Sequence, residues 1–349
     1  MKTLRGIDPT KVKRILIIKL RGIGDVVLST IVLEPLKKTF PNASIDFLTE
    51  NPGKKYLEFI DEIDEIIIFN RKSTSARFIQ LFEVRKKRYD VIIDLFSNPA
   101  TALITFFSAA NFRIGFPYRG RKYAYNVFGP EERSSYHAAD LHLELLRNAG
   151  LEINKKKLQF KLSAEDLAFA EQFIKANDLA DSNIVCLLPS GGWQSKRIPP
   201  GKFIEIADTL KSKYKCKILI AWGPGDKEDA LEISRNVVES IIAPNTTISQ
   251  LSAIISKSKI VIANDSGPMH IAVAAGVPTL SIHGPTNPIL QGAYGSNNET
   301  INYEELHCIN CNLLECPYNQ ECFRDLPVER IMNKIENLIV NNNLKVDHA

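Results

Sequence analysis

Along most of the chain, short apolar runs alternate with stretches whose apolar residues recur every three or four positions. The run over residues 14–20 (RILIIKL) is too short for a buried helix and rich in isoleucine, so it predicts a strand covered on both faces. Gly22 and Gly24 punctuate it. Apolar residues then return at Ile23, Val27 and Ile31, the spacing of one helix face. Pro35 is expected to bend the last turn of that helix. Residues 44–49, 65–69, 89–95 and 111–115 predict further strands, with helices such as 76–87 and 138–149 between them. Strands that alternate with helices imply a parallel sheet covered by helices on both faces.

The alternation then restarts. Residues 165–177 predict a helix with Ser163 as its N-cap. Residues 183–188, 217–221, 259–263 and 279–282 predict strands, and 202–213, 227–238 and 268–275 predict helices. The expected architecture is α/β: two Rossmann-like parallel-sheet domains, residues 1–160 and 161–327, facing a central cleft. Residues 328–349 form a C-terminal helix and tail, expected to pack back toward the first domain. Ile331, Ile335 and Leu338 share one side of that helix. With 349 residues, each domain has enough chain for a core of its own.

Charge separates the two halves. Residues 1–160 carry 27 basic and 18 acidic side chains, net +9, and the remainder is net −5. The first half would attract an anionic partner or an anionic membrane surface, unless its charges are simply solvated. The basic residues are scattered and accompany no reader motif, so nucleic acid is not an expected partner. No apolar run reaches the roughly 18 residues of a spanning helix. The first apolar stretch, Ile15 to Ile18, is too short for a signal peptide, so a cytoplasmic protein is expected.

Of the cysteines, Cys186 and Cys216 sit singly in apolar stretches and read as buried thiols. Cys308, Cys311, Cys316 and Cys322 crowd together, but not as two clean CxxC pairs. No metal is the first expectation. Zinc on these four is the alternative, beside local packing or redox-sensitive thiols.

In open α/β sheets ligands bind beyond the carboxyl ends of the strands. Four loops there carry the candidate chemistry. In the loop 19–25, Gly22 and Gly24 allow close approach of backbone to a ligand. Asp25 would repel a pyrophosphate; it caps the helix or serves as a general base. A dinucleotide site on this loop would use Glu50 at the end of the second strand, but Val27 stands where a third glycine is needed. The loop 189–199 places Lys196 and Arg197 after two glycines, a set suited to a diphosphate. In the loop 222–228, Asp226 or Glu228 could accept hydrogen bonds from a ribose, or act only as first-turn helix acids. The stretch 264–270 (NDSGPMH) joins a strand to a helix. There Asp265 can hold sugar hydroxyls, and Ser266 and Gly267 open backbone N–H groups to an anion. His270 can donate to a phosphate or pack in the helix.

The set RGIGD at 21–25, YDVIID at 89–94, Lys196-Arg197, NDSGPMH at 264–270 and HGPT at 283–286 resembles glycosyltransferase family 9, the heptosyltransferases of the lipopolysaccharide inner core. The likeness runs from about residue 14 to 340. It implies a GT-B fold and an inverting, metal-independent transfer without cofactor. The donor would be ADP-heptose and the acceptor a Kdo- or heptose-bearing lipid A core. Asp25 matches the family's base. Lys196, with Arg197, matches its diphosphate contact, Asp226 or Glu228 its ribose acid, and Asp265, Ser266 and Gly267 its donor-sugar and phosphate residues, with His270 close by. Gly22, Gly24, Arg119, Arg121 and Lys122 are the acceptor candidates, and peripheral contact with the inner membrane is expected. Phe96 stands where the family often has Gln. The alternatives are a GT-B transferase or epimerase for another nucleotide sugar, and an NAD-dependent oxidoreductase.

Overall fold

The computed structural model describes residues 2–71, 73–118 and 120–349. It divides into two compact units, Met1–Lys161 and Leu162–Ala349.

The first unit is built on six parallel strands: β1 (Arg14–Ile18), β2 (Ser44–Thr49), β3 (Glu65–Ile68), β4 (Val91–Asp94), β5 (Phe112–Gly115) and β6 (Val127–Phe128). Their order in the sheet is β3-β2-β1-β4-β5-β6. Ile15, Ile17, Ile93 and Val91 are wholly buried, as expected of central strands covered on both faces. After β3 the chain crosses from one side of β1 to the other, so β1 and β4 flank the sheet's topological switch point. Gly115 ends β5 where a Cβ would lie 2.3 Å from the Tyr125 ring, so only glycine lets that ring cover the strand.

The second unit repeats the plan with β7 (Ile184–Leu188), β8 (Lys217–Ile220), β9 (Ile241–Ile242), β10 (Ile260–Asn264), β11 (Thr279–His283) and β12 (Glu299–Asn302). The order is β12-β11-β10-β7-β8-β9, again parallel throughout, with the switch point between β7 and β10. Every residue of β7, β10 and β11 is buried.

Two expectations change, and the last helix finds its place. The first helix does not run on to a bend in its last turn. It breaks into Ile23–Ser29, a 3₁₀ turn at Thr30–Val32 and a helix Leu33–Thr39. Proline at 35 has no N–H to offer Ile31 and its ring crowds that carbonyl, while the Ser29 and Thr30 hydroxyls donate back to the carbonyls of Val26 and Val27. The strands β6, β9 and β12 are additional. Two are only two residues long, and β12 (ETIN) has no apolar pattern to reveal it. Finally, the helix Val328–Asn341 puts its apolar side into the second unit's core, against β11, β12 and the Pro200–Lys213 helix. Amphipathicity shows that a helix has a buried side but not which surface it meets.

Candidate active site

In the second unit the polar residues gather where the carboxyl ends of β7, β8, β10 and β11 lie side by side. The loop after β7 passes through a 3₁₀ turn at Gln194–Lys196. This turn aims Lys196 across the switch point to Asp265, just beyond β10, at 2.6 Å. Both side chains are largely buried. Asp265 also accepts from the Thr286 hydroxyl at 2.7 Å. Thr286 in turn meets Nδ1 of His283 at 3.2 Å, and Nε2 of His283 meets the Ser281 hydroxyl at 3.0 Å. Five side chains, from three loops and the end of β11, thus form one polar chain. Burial acts to raise the Asp265 carboxyl, but His283, Lys196 and Thr286 outweigh it and hold the group below its ordinary value. The ammonium of Lys196 also lies over the Trp193 ring, 4.4 Å from its centroid.

Arg197 points elsewhere. Its guanidinium meets Asp226 at 2.9 Å and Asp229 at 3.2 Å, and donates to the carbonyl of Gly225. Burial raises the Asp226 carboxyl above its ordinary value, against the opposing pull of the Ser190 hydroxyl and Arg197. A Cβ at Gly191 would lie 2.8 Å from Arg197 Cγ, so the glycine makes room for the side chain's path. Of the two acids read from the sequence, Asp226 is buried in this cluster and Glu228 is exposed in the first turn of the Lys227–Asn236 helix. Asp229, one residue on, is the second partner of Arg197, and the sequence reading missed it.

Ser266 stands at the N-cap of the Gly267–Ala274 helix but makes no side-chain capping bond. Its hydroxyl and both polar atoms of the Asn264 amide are buried and have no partner among the described residues. Unsatisfied buried polar atoms are rare in folded proteins, and beside a strand's carboxyl end they mark room for a polar ligand. His270 is buried on the same helix.

The first unit holds the remaining candidates. Gly22 is the N-cap of the Ile23–Ser29 helix and carries no side-chain capping bond, so Asp25 is a first-turn acid and not the cap. The Asp25 carboxylate is half exposed and lies 3.0 Å from the ammonium of Lys19, which is almost wholly buried. Lys19 and Arg21 both approach the face of Phe96 from across the switch point. His142, on the Ala138–Ala149 helix, is a neighbour that sequence reading missed. Burial, with Lys19 adding to it, holds its imidazole well below its ordinary value, while Asp25 pulls the other way. Gly24 is buried, Arg121 is half-buried before a 3₁₀ turn at Lys122–Ala124, and Lys122 is exposed. Arg119 lies outside the described residues. Asp94 of the resemblance motif is a structural acid. It is wholly buried and accepts from Tyr125 and from the backbone of Phe96 and Ser97.

Cys308, Cys311, Cys316 and Cys322 line one small cavity of about 10 Å³, with Gly284, Pro285 and Tyr318 among its walls. They are brought together, but among the described residues no group of three or more His, Cys, Asp or Glu is disposed to hold a metal ion. Burial, with the neighbouring thiols, pushes Cys322 up to about 12, so it stays protonated at neutral pH.

Two Rossmann-like parallel sheets with polar loops at their carboxyl ends are the framework of the GT-B fold. The family model described as glycosyltransferase family 9 (heptosyltransferase) matches residues 78–321, and the chain belongs to that family. It is similar to the lipopolysaccharide core heptosyltransferase OpsX of Haemophilus influenzae, 23% identical over 84% of this chain and 85% of that one. Among solved structures it resembles a family 9 glycosyltransferase from Veillonella parvula, with TM-score 0.82, 23% identity and coverage of 94% and 97% of the two chains. It also resembles E. coli heptosyltransferase WaaC solved with ADP, with TM-score 0.72, 18% identity and coverage of 93% and 99%. The oxidoreductase reading of the glycine loop gives way to this membership.

Proposed function

We propose that this enzyme transfers a heptose from ADP-heptose to a Kdo or heptose residue of the lipopolysaccharide inner core, inverting the anomeric centre with Asp25 as general base. The observation that carries the reading is the polar chain from Lys196 through Asp265 and Thr286 to His283, with the unpaired Asn264 and Ser266 beside it. It suits an anionic, hydroxyl-rich ligand at the switch point of the second sheet. The relatives support the choice of sugar and acceptor. OpsX is named for the lipopolysaccharide core, and WaaC has been solved with ADP and with ADP-2-deoxy-2-fluoro heptose.

In this mechanism Asp25 takes the proton of the acceptor hydroxyl while its oxygen attacks the anomeric carbon. The bond to the donor phosphate oxygen breaks from the opposite face, and its electron pair leaves with ADP. Lys196, Arg197 and the first backbone N–H groups of the Gly267–Ala274 helix receive the growing diphosphate charge. Both cations are paired with carboxylates in the free enzyme, so donor binding exchanges carboxylate for phosphate. Asp226 is assigned to the ribose and Asp265 to the donor sugar. The glycine loop at Gly22 and Gly24, with Arg121 and Lys122, is assigned to the acceptor's Kdo carboxylates and lipid A phosphates. A lipid-borne acceptor would bring the enzyme to the cytoplasmic face of the inner membrane.

The test is turnover of ADP-heptose on a Kdo-bearing acceptor, with the product anomer read by NMR and nucleotide affinity by calorimetry. Asp25→Asn, which keeps the side chain's shape beside Lys19, is expected to lose about 10²–10⁴-fold in turnover and to bind ADP unchanged. Near-wild-type turnover would remove Asp25 from the base role. Preference for UDP over ADP would replace the donor with another nucleotide sugar.

A further inference from the structure

Two helices of the first unit turn aromatic side chains outward. On Thr74–Lys86, Leu81 and Val84 pack inward, while Phe78, Ile79 and Phe82 are 60%, 60% and 63% exposed. On the adjoining helix Pro99–Phe107 the usual polarity is reversed. Thr101, Thr105 and the following Ser108 are buried, while Leu103, Phe106 and Phe107 face solvent. Spacing explains the outcome: 103, 106 and 107 lie on one side of a helix, and 101, 105 and 108 on the other. The Thr105 hydroxyl is buried with no partner among the described residues. Tyr123 extends the surface, its ring edge-on to Phe106 with centroids 5.6 Å apart.

Cations border this surface. Arg85 donates to the carbonyl of Phe107 at 2.8 Å and so ties the two helices together. Arg85 and Lys86 stand exposed on the outer side of the first helix, Lys86 paired with the exposed Glu83 at 2.9 Å, and Lys122 stands exposed beside Tyr123. The unit as a whole carries the positive excess of the chain, net +9 over residues 1–160. Large exposed apolar side chains grouped on adjoining helices mark an interaction site. Aromatic and leucine side chains rimmed by Lys and Arg match a layer with an apolar interior and anionic headgroups.

We propose that the outer faces of Thr74–Lys86 and Pro99–Phe107, with Tyr123, are the surface by which this enzyme docks on an anionic lipid bilayer. The aromatic rings enter the headgroup boundary, and Arg85, Lys86 and Lys122 meet the lipid phosphates. The inference deepens the proposed function: Tyr123 belongs to the same turn as Lys122 and follows Arg121, so the docking face adjoins the residues assigned to a lipid-borne acceptor.

The test uses the full-length enzyme and vesicles free of lipopolysaccharide, so that it does not depend on the assigned reaction. Co-sedimentation is measured with phosphatidylcholine vesicles and with vesicles containing phosphatidylglycerol. Binding to the anionic vesicles alone, weakened by salt, is the expected result. Lys86→Glu is expected to lower the partition coefficient about fivefold per unit of charge changed. Phe82→Ser with Phe106→Ser is expected to abolish detectable binding, with ADP affinity and thermal midpoint retained as proof of fold. Equal sedimentation with neutral vesicles, or undiminished binding by the Phe82/Phe106 variant, would overturn the proposal. So would absence of vesicle binding together with a dimer that dissociates in the same variant, which would assign the face to a second copy of the chain. Vesicle binding by an enzyme that does not turn over ADP-heptose would leave this inference standing and remove the proposed function.

Discussion

Lys196 and Arg197 are neighbours in sequence and part company in space, one crossing to Asp265 beyond β10 and the other to Asp226 and Asp229 beyond β8. The Lys196–Asp265 pair is buried, and breaking such a pair from one side leaves the other charge unpaired, at a cost of about 3–5 kcal/mol. Asp265→Asn is therefore expected to lower stability by that order at neutral pH. The carboxyl lies below its ordinary value in the folded chain, so the fold favours its ionised form. That contribution is complete above the unfolded value of 3.8 and is lost as pH falls through the lower folded value. Thermal midpoints of the two proteins should thus converge in acid. A constant gap down to the acid limit would show that the carboxylate's charge is not what the pair contributes. Asp265, Lys196 and Arg197 were legible as site residues because small residues and cations after a strand suit an anion. Their pairing was not, because it depends on β7 lying next to β10, and hydrophobic periodicity does not specify strand order. His142 was hidden for another reason: on an amphipathic helix it reads as one more core position.

At the scale of elements, the sequence marks strands and helices well where burial is strong and poorly where polarity is reversed. The five buried residues of β10 announce themselves. The helix Pro99–Phe107 gives an apolar run whose expected direction is inward, yet it leaves three large side chains nearly half exposed, each forgoing about 1 kcal/mol of burial. Its start must therefore be fixed by other means. Asn98 and Thr101 form a reciprocal capping box, each side chain accepting from the other's backbone N–H, with Pro99 at the first helical position. Asn98→Ala is expected to cost about 1 kcal/mol in urea unfolding. Because Leu103, Phe106 and Phe107 ride on this helix, the same variant should weaken binding to anionic vesicles while leaving ADP affinity unchanged. Unchanged stability would mean that packing of Ala102 and Ile104 alone holds the helix.

The whole chain divides its labour by charge and by core. The split between a basic first half and an acidic second half was readable from composition, because it needs no knowledge of contacts. The destination of the last helix was not, and it decides which unit the end of the chain supports. Ile331, Met332, Ile335 and Leu338 are buried in the core shared with Phe203, Leu280 and Ile282, on the side of the second sheet covered by the Pro200–Lys213 helix. At about 1.5–3 kcal/mol for each side chain, removal of the four would cost about 6–12 kcal/mol, comparable to a whole domain's net stability. A chain ending before Val328 is thus expected to lose the cooperative unfolding of the second unit and with it ADP binding. The first unit, whose core contains none of these residues, should keep its own transition and its affinity for anionic vesicles. Calorimetric unfolding of the truncated chain, read with ADP titration and vesicle sedimentation, separates the two. Loss of vesicle binding with ADP binding retained would place the helix in support of the first unit instead.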